Sequence, residues 1–555
     1  MNANETEVAV AGGGLAGITA ALRLAQRGYK VTLYERKSML GGNLASRGTP
    51  FGVELDVYPH MFLSWYHNFW RMLEEAGVDR DKAFTPLTTV KQLKKPKHPG
   101  DFPTYAGLTN GYSPKYMLRN LFSGVGPPAD MFVFWYSTID LLAERLQPTM
   151  LLDDVSVTGF LQARPYMTER AVTACDSFIT MVWAIPAYLA AAEDYRSYLA
   201  YSVSSYKPPS LLAKAPAAQA VIAPLEAALR KAKVTICTKK EITGVTCAKD
   251  AATGENVVKK IKVRDTEFQR KPYEWVNIGK EETIEVDELL LAVPPVALSE
   301  LVRKPVNEGE VPIVKLAPKL AELARLRSQR IPIVHVWFKH KLKHIPPEPV
   351  GLYGSDLALA FTDVSQVWTD RPEFKDHTVL SVSASNPYGL PGTGYEDDGF
   401  AILSELNEYV DFDLGTKWGK SRDINWDRTI FESNADSQLF INETGIDVWR
   451  PAATSEDISN LYFAGNFCAN RIGMMTVESA VASGLEAARA IVEKHGVGLG
   501  GPVVIDEPSA GFDALCVWLR YVWGPYAYGA KAWSEGCDKL TGMLKWLSPR
   551  DGADV

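Results

Sequence analysis

The chain contains 555 residues, of which 46% are hydrophobic and 23% are charged, and its formal net charge is −7. This length predicts a sizeable core divided over more than one domain, and the negative charge without a long basic run argues against nucleic acid as the main partner. The six cysteines are scattered and include no CxxC pair, which argues against a disulfide framework or a zinc site and indicates a reducing compartment.

The first predicted elements form a strand–turn–helix–strand unit. Residues 8–11 (VAVA) have the composition of a short buried strand, and the apolar spacing from Leu15 to Arg27 predicts a helix that Gly28 ends. Residues 31–34 predict a second strand, which finishes at Glu35. This order is the context in which a glycine-rich turn binds a dinucleotide.

The turn between the first strand and the helix carries Gly12, Gly14 and Gly17. In a dinucleotide-binding unit the first glycine permits the tight turn, the second lets the pyrophosphate approach the backbone, and the third lets the helix pack on the strand. The phosphates sit at the helix N-terminus, where free N–H groups favour negative charge. Leu15 and Ala16 at this terminus are therefore candidate cofactor contacts together with the three glycines.

The acid at the end of the second strand and the segment after it bear on the choice between NAD and FAD. Glu35 can accept hydrogen bonds from ribose hydroxyls, and Arg36 beside it is a further candidate contact. These residues leave both cofactors open. The following Gly41-Gly42-Asn43 resembles the glycine pair of amine-oxidase-like flavoproteins, which wraps the diphosphate and ribityl chain of the flavin. The resemblance therefore favours FAD, and the competing interpretation is a plain glycine turn.

The middle of the chain predicts two further strands that return to the cofactor. Residues 242–245 begin with Ile242, near the adenine in relatives, and residues 287–294 match the family strand that ends in Leu-Ala-Val-Pro and contains Ala292. Between them, residues 249–286 alternate charged and β-branched residues, which predicts a hairpin insertion.

The last predicted unit is a strand, a turn and a helix. Residues 460–466 predict a strand that runs into a turn at Gly465-Asn466, and residues 477–492 predict an amphipathic helix with small residues at Ala480, Ser483, Gly484 and Ala487. The segment resembles the end motif of amine oxidases and carotenoid desaturases, in which a Gly-Asp pair binds the ribityl chain and the helix N-terminus faces the flavin. By that resemblance the cofactor contacts are Gly465, Asn466, Met475, Thr476 and Val477, with Asn466 in place of the family's aspartate.

Residues 7–495 as a whole resemble the plant-type phytoene and ζ-carotene desaturases in the order of their motifs. Further segments that match this family are residues 56–62, 66–68, 73–79, 155–161 and 333–338. The resemblance implies an α/β fold with a discontinuous Rossmann-like FAD-binding domain and an inserted α+β substrate-binding domain. The expected FAD-binding pieces are 1–98, 212–303 and 445–495. The expected substrate-binding pieces are 99–211 and 304–444, followed by a tail at 496–555.

Candidate catalytic residues are few, because bound FAD supplies the hydride acceptor in this chemistry. His60 is the titratable candidate near the flavin, with Tyr58 beside it where the family has glycine; a purely structural histidine is the alternative. His340 and His344 have metal-like spacing but stand among lysines without an acid nearby, so no metal site is predicted.

The leading functional hypothesis is an FAD-dependent desaturase acting on a long apolar isoprenoid or acyl-type molecule. A reduced-flavin double-bond isomerase, an amine oxidase that would need a lysine such as Lys214 or Lys339, and a non-enzymatic prenyl- or lipid-binding protein of the same fold are the alternatives. The apolar runs 131–142 and 178–192 suit either the wall of a substrate tunnel or a plain helical core. The oligomeric state stays open.

The tail differs in character from the rest of the chain. No signal peptide and no charge-free apolar run of about 20 residues is present, so a cytoplasmic protein is expected, with peripheral contact to a membrane as one reading. Amphipathic aromatic side chains favour the lipid–water boundary, and the alternative is that they pack on the protein. The tail carries Trp518, Tyr521, Trp523, Tyr526, Tyr528, Trp533 and Trp546.

Overall fold

The computed structural model describes residues 5–96, 103–109, 114–203, 209–269, 274–304, 311–368, 371–496 and 509–547, with the side chains of 114 and 542–547, including Trp546, outside the description. Residues 497–508, near the start of the predicted tail, also lie outside the described residues.

The strands of this part of the chain are β1 (Glu7–Ala11), β2 (Lys30–Glu35), β3 (Ser46–Gly48), β4 (Glu54–Asp56), β5 (Phe62–Leu63), β6 (Phe84–Leu87), β7 (Thr89–Lys94), β8 (Thr104–Thr109), β9 (Ser210–Ala213), β10 (Thr235–Thr238), β11 (Lys240–Lys249), β12 (Asn256–Gln269), β13 (Glu274–Glu285), β14 (Glu288–Leu291), β15 (Ser328–Gln329), β16 (Ile333–Trp337), β17 (Val350–Tyr353), β18 (Leu359–Asp363), β19 (Val379–Ala384), β20 (Ile430–Glu432), β21 (Leu439–Phe440) and β22 (Leu461–Phe463).

The α-helices are α1 (Leu15–Gln26), α2 (His67–Glu75), α3 (Arg80–Ala83), α4 (Pro114–Leu121), α5 (Pro128–Ala143), α6 (Val157–Gln162), α7 (Glu169–Trp183), α8 (Ala192–Val203), α9 (Ala223–Lys231), α10 (Pro295–Arg303), α11 (Ile313–Leu316), α12 (Val364–Val367), α13 (Tyr395–Asn407), α14 (Val477–Lys494) and α15 (Ala510–Leu547). Within the described ranges no helix is both long enough and apolar enough to cross a membrane.

A parallel five-stranded sheet, in the order β10-β2-β1-β14-β22, confirms the Rossmann-like fold. Its strands come from all three chain segments that the sequence assigns to the FAD-binding domain. The strand side chains alternate between two cores, with Val8 and Val10 in one and Ala9 and Ala11 in the other. Sheets of this kind bind ligands beyond the carboxyl ends of their strands, which places a site next to Ala11 and the end of β2.

Helices α1 and α14 pack on the first of these two cores at close range. A Cβ atom on Gly484 would lie 2.4 Å from the carbonyl oxygen of Ala16, so only glycine allows the two backbones to approach this closely. Gly484, one of the small residues predicted on this helix, therefore serves helix packing. The predicted hairpin insertion is also confirmed, because β12 and β13 extend β11 as an antiparallel three-stranded sheet.

A second, seven-stranded sheet has the order β20-β16-β19-β18-β17-β7-β8. One face packs against α13 through residues such as Phe361, Leu380 and Ile402. Strand β7 belongs to this sheet although the boundary at residue 98 assigns it to the FAD-binding domain. The sequence alone could not separate these pieces, because β7 pairs in parallel with the distant β17 and no local turn signals the change of sheet. We therefore propose that the first FAD-binding piece ends before Thr89.

The aromatic tail forms the long helix α15, which packs along α5. Cys516, Ala527 and Ser534 are buried in this contact, and the ring of Trp523 lies 4.3 Å from that of Trp135, centroid to centroid. The prediction that the tail packs on the protein is thus correct for one side of the helix. The other side leaves several rings exposed.

Candidate functional site

A single cavity extends from the carboxyl ends of β1 and β2 to the seven-stranded sheet. Every predicted cofactor residue except Gly17 lines it, as do both predicted catalytic residues. Their contact with a cofactor stays a prediction. The lining residues among them are Gly12, Gly14, Leu15, Ala16, Glu35, Arg36, Gly41, Gly42, Asn43, Tyr58, His60, Ile242, Ala292, Gly465, Asn466, Met475, Thr476 and Val477.

The glycines of the first turn have different physical reasons to be glycine. Gly12 has a φ of +103°, and a Cβ atom on it would lie 2.2 Å from the carbonyl oxygen of Ala292. A Cβ atom on Gly17 would lie 1.9 Å from the carbonyl oxygen of Gly12, which explains why Gly17 supports the turn without reaching the cavity. Gly14 is extended, and a Cβ atom on it would meet no protein atom within 4 Å. The protein itself therefore does not require glycine at position 14, and the free space there is available to a ligand.

The second glycine pair completes the same cradle, which we define as residues 12–16 together with residues 41–43. Gly41 and Gly42 have φ values of +118° and +58°, and the N–H of Gly41 donates to the carbonyl oxygen of Gly13 at 2.7 Å. A Cβ atom on Gly42 would lie 3.1 Å from the Cα atom of Gly14. The two turns thus present bare backbone to one shared space. This surface fits a diphosphate, which accepts backbone N–H bonds at a helix N-terminus.

Glu35 stands at the rim of the cradle, at the end of β2. Its carboxylate is buried and accepts hydrogen bonds from the N–H groups of Gly13 at 2.7 Å and Lys37 at 2.8 Å. Burial raises the pKa of this carboxyl group above its ordinary value. Each carboxylate oxygen can accept more than one hydrogen bond, so the group can still receive the hydroxyls of a ribose.

The C-terminal segment reaches the cavity beside the cradle. Gly465 has a φ of +154°, and a Cβ atom on it would lie 2.3 Å from the ring of Phe467. Its N–H donates to the hydroxyl of Ser483 on α14 at 2.9 Å. The hydroxyl of Thr476 caps α14 by accepting from the N–H of Ser479 at 3.1 Å. The N-terminus of α14 is therefore well formed at the cavity wall, where its dipole favours negative charge.

Arg450 holds this segment in place, and sequence reasoning missed it. Its buried guanidinium donates to the carbonyl oxygens of Asn466 at 2.9 Å and Phe467 at 3.1 Å, and it also bonds the carbonyl oxygen of Gly473. Asn442 adds a further bond from the N–H of Met475, at 2.7 Å. A single arginine that donates to backbone carbonyl oxygens belongs to no repeating pattern or motif, so its role could not be predicted from the sequence.

Tyr58 and His60 form part of the wall next to these elements. The hydroxyl of Tyr58 donates to the carbonyl oxygen of Ser437 at 2.6 Å, which fixes the ring. Nδ1 of His60 lies 2.7 Å from the carbonyl oxygen of Tyr58. Because a carbonyl oxygen can only accept, we assign the proton of the neutral ring to Nδ1, which leaves Nε2 as an acceptor. Burial lowers the pKa of His60 to about 4, so the ring is neutral at pH 7.

Beyond Tyr58 the cavity becomes apolar. The charged residues that line the cavity (Glu35, Arg36, Lys37, Asp56, Lys240, Glu241 and Asp436) all belong to other parts of its wall. Lys214 and Lys339 donate to the carbonyl oxygens of Asp81 and Ser421 and do not line the cavity. The part that we call the apolar end is formed by Met61, Met181, Trp183, Leu212, Val364, Val367 and Trp368.

The two apolar runs of the sequence differ in whether they line the cavity. Residues 131–142 lie in α5 and do not line the cavity, so the helical-core interpretation is correct for them. The run 178–192 contains the end of α7, and only residues 181–184 line the cavity. Ala184 ends that helix with a φ of +55°, which turns the chain away from the wall.

Comparison with known proteins agrees with this geometry. A family model described as an NAD(P)-binding Rossmann-like domain matches residues 10–76, and one described as flavin containing amine oxidoreductase matches residues 248–492. The carotenoid phi-ring synthase of Streptomyces griseus is 26% identical over 525 residues, which cover 92% of this chain and 91% of that protein.

Two further matches complete the comparison. The ζ-carotene desaturase of Solanum lycopersicum is 32% identical over 75 residues, which cover 14% of this chain and only 13% of the desaturase. The crystal structure of an oxidoreductase from Methanosarcina mazei superposes with a TM-score of 0.59 at 13% identity, covering 88% of this chain and 100% of that one. At this identity the superposition establishes the fold alone.

Proposed function

Because the chain belongs to the superfamily of FAD-dependent oxidoreductases that includes amine oxidases and phytoene desaturase-like enzymes, we propose that it removes hydride from carbon–carbon bonds of a long apolar substrate of the isoprenoid or acyl type. The observation that carries this proposal is the continuity of one cavity, which joins the cradle to the apolar end. Ligand sites are mainly apolar with a few placed polar groups, and this cavity has that character.

The residues of the cradle fit FAD. Gly14 leaves room for the diphosphate, and Gly12, Gly41 and Gly42 allow the backbone turns that surround this space. Glu35 would accept hydrogen bonds from the adenosine ribose. Arg36 and Ile242 border the adenosine half, and Ala292 and the segment Gly465–Val477 border the flavin half. Bound FAD supplies the hydride acceptor. The protein holds the substrate at the apolar end, excludes water there and directs the dipole of α14 toward the cavity wall.

We further propose that His60 accepts the proton that accompanies hydride loss. Its neutral ring presents Nε2 as an acceptor, because Nδ1 is held by the carbonyl oxygen of Tyr58. Tyr58 itself is fixed by Ser437 and acts as a wall that positions the substrate and His60. A low pKa makes the ring a weak base, so its contribution depends on close placement more than on basicity.

The proposal is tested by incubating the FAD-loaded protein without oxygen with isoprenoid polyenes, both plain hydrocarbons such as ζ-carotene and polyenes that carry a terminal hydroxyl. Desaturation predicts loss of the oxidised flavin absorbance and a product that has lost two hydrogens. A product of unchanged mass, formed only with pre-reduced FAD, would replace this proposal by double-bond isomerisation. Turnover of amines and not of polyenes would instead indicate an amine oxidase. Binding of a prenylated ligand by a protein without FAD would indicate the non-enzymatic alternative.

Helix α15 has both charged and apolar residues on the side that contacts the protein. Arg520 forms ion pairs with Asp140 at 2.5 Å and with Glu144, Asp513 lies 3.6 Å from Arg145, and Cys516 and Ala527 are buried beside them. At 3.6 residues per turn, one sector about 80° wide of the opposite side has no charged residue in residues 510–541. We call this sector the outer face; it contains Leu515, Trp518, Val522, Tyr526, Trp533 and Leu540.

We propose that the outer face lies on a lipid bilayer. Trp518, Tyr526 and Trp533 are 57%, 68% and 71% exposed, and such rings with a polar edge favour the lipid–water boundary. A soluble helix ordinarily has a polar side opposite the side that it buries, whereas α15 has large apolar residues on its exposed side as well as on its buried side. Contact with a membrane would give access to an apolar substrate that is poorly soluble in water.

A further inference from the structure

One row of residues crosses the seven-stranded sheet on the side that faces the cavity. Ile333 is paired with Ser383, Ser383 with Ala360, Ala360 with Gly351, and Gly351 with Gln92. Directly paired residues project to the same face of a sheet. The row begins beside Tyr58, because Ile333 belongs to the same small buried cluster as that tyrosine. It therefore leads from the wall near the predicted flavin position to Gln92.

The middle of this row is a floor of small residues. Ser383 and Ala360 line the cavity, and Gly351 follows with no side chain at all. Three strand spacings separate Ser383 from Gln92, which corresponds to about 14 Å. At Ser383 and Ala360 the small side chains leave room in the cavity for an elongated molecule. Above Gly351 the missing side chain makes room for the Gln92 amide and the Met181 sulfur.

Gln92 ends the row with an unsatisfied amide. The residue is 1% exposed, and none of the residues that the structure describes provides a hydrogen-bond partner for its amide oxygen or nitrogen. Buried polar groups in native proteins nearly always have a partner, so each exception calls for an explanation. An amide can donate and accept at once, and it therefore suits a hydroxyl or a carbonyl oxygen.

The amide lies next to the cavity wall. A Cβ atom on Gly351 would be 3.0 Å from Nε2 of Gln92, 3.2 Å from its Oε1 and 3.3 Å from the sulfur of Met181. Met181 itself lines the apolar end. The amide and the Met181 sulfur thus flank the same point above Gly351. Methionine is flexible and changes rotamer easily, so a turn of Met181 joins the amide to the cavity.

We propose that Gln92 binds the polar end of the substrate. The ligand class is an elongated apolar molecule with one terminal hydroxyl or carbonyl oxygen. Its apolar part lies over Ala360 and Ser383, and its oxygen reaches the amide when Met181 turns aside. This assignment rests on the proposed apolar substrate and adds a specificity-determining residue to it. It distinguishes oxygenated molecules from plain hydrocarbons, because a hydrocarbon leaves the buried amide without a partner.

The test compares farnesol with farnesene, two C15 isoprenoids of similar length; farnesene lacks the terminal hydroxyl of farnesol and has one more double bond. Binding to the FAD-loaded protein is measured by the change in the visible flavin spectrum and by equilibrium dialysis. We expect farnesol to bind about ten-fold more tightly than farnesene. The variant Gln92→Leu should lose this preference while it binds farnesene at least as well. Gln26→Leu, at an exposed position on α1, is the matched control and should keep the preference.

A second variant covers the case in which Gln92→Leu does not fold. Gly351→Ala keeps the amide but adds a Cβ atom 3.0 Å from it, so farnesol binding should weaken more than farnesene binding. Equal affinity of the unaltered protein for both molecules, or an unchanged preference in both variants, would overturn the assignment of Gln92. Failure of both molecules to bind would overturn the assignment together with the proposed apolar substrate site.

Discussion

The N–H of Gly41 donates a hydrogen bond of 2.7 Å to the carbonyl oxygen of Gly13. This bond joins the two glycine turns of the cradle, and both turns have positive φ values that side chains rarely adopt. The cradle is consequently a built surface of bare backbone, and its geometry can be tested one glycine at a time.

Gly12 is required by the fold. Replacement by alanine puts a Cβ atom 2.2 Å from the carbonyl oxygen of Ala292 at a φ of +103°. We expect Gly12→Ala to lower the free energy of unfolding by about 2–4 kcal/mol, because backbone strain and a backbone clash combine. Urea unfolding of the protein without added FAD measures this change. A loss below about 0.5 kcal/mol would show that the turn is not as tight as described.

Arg450 is expected to act on FAD binding through the segment that it holds. Arg450→Met keeps much of the side-chain volume but removes the donors to Asn466, Phe467 and Gly473. We expect FAD affinity to fall by at least about ten-fold, since each lost bond to a charged donor is worth about 1.5–3 kcal/mol. Fluorescence titration with FAD measures the affinity.

Arg450→Lys supplies the comparison for this prediction. Lysine keeps the charge but cannot reproduce the fork of donors, so it should recover only part of the affinity. Full FAD affinity in Arg450→Met would contradict a positioning role for Arg450.

Glu478 should make stability depend on pH. It lies in the first turn of α14 and accepts bonds from the N–H groups of Asn68 at 2.9 Å and Phe69 at 3.0 Å, which ties α14 to α2. Burial raises its pKa to about 7. A carboxyl group whose pKa is raised by folding stabilises the fold fully below its unfolded pKa, and this stabilisation is lost as the pH rises through the folded pKa.

The effect expected for Glu478→Gln follows from this dependence of stability on pH. In the unaltered protein, Glu478 lowers the free energy of unfolding as the pH rises from about 4.5 to about 7, and the neutral glutamine removes this contribution. The difference in unfolding free energy between pH 5 and pH 8 should therefore shrink by about 2 kcal/mol in the variant. Urea unfolding at both pH values is the measurement. If the variant shows the same difference in unfolding free energy as the unaltered protein, folding does not raise the pKa of Glu478, and its ionisation at neutral pH does not destabilise the fold.

The outer face of α15 should determine membrane binding. Replacing Trp518 and Trp533 by lysine puts two charges on a face that has none, so co-sedimentation with phosphatidylcholine vesicles should fall at least about five-fold. Tyr521→Lys, on the flank where the tyrosine hydroxyl bonds Gln147, is the matched control and should have a smaller effect. If the unaltered protein does not bind vesicles and is a dimer that the tryptophan changes dissociate, the outer face is a protein interface instead.

The sequence predicted the cradle well because each of its features is local. Gly12, Gly14 and Gly17 follow one another within a few residues, and Glu35 ends the next strand. Arg450 and Gln92 could not be predicted. Arg450 matters because it donates to carbonyl oxygens of a separate chain segment, and Gln92 matters because its buried amide has no partner among the described residues. Both relationships exist only after segments that are distant in the sequence have come together. The place of β7 in the second sheet could not be predicted for the same reason, since β7 pairs with the distant β17.

The central claim, that the cradle binds FAD, is tested most directly at Gly14. Alanine there meets no protein atom within 4 Å, and the position has an ordinary extended backbone, so only a ligand should detect the added methyl group. The measurement is the FAD dissociation constant of Gly14→Ala beside that of Gly48→Ala, an exposed position where a Cβ atom also meets no protein atom within 4 Å. We expect Gly14→Ala to unfold at the same urea concentration as the unaltered protein and to bind FAD at least about 100-fold more weakly, while Gly48→Ala binds it normally. Equal FAD binding by both variants would contradict the account.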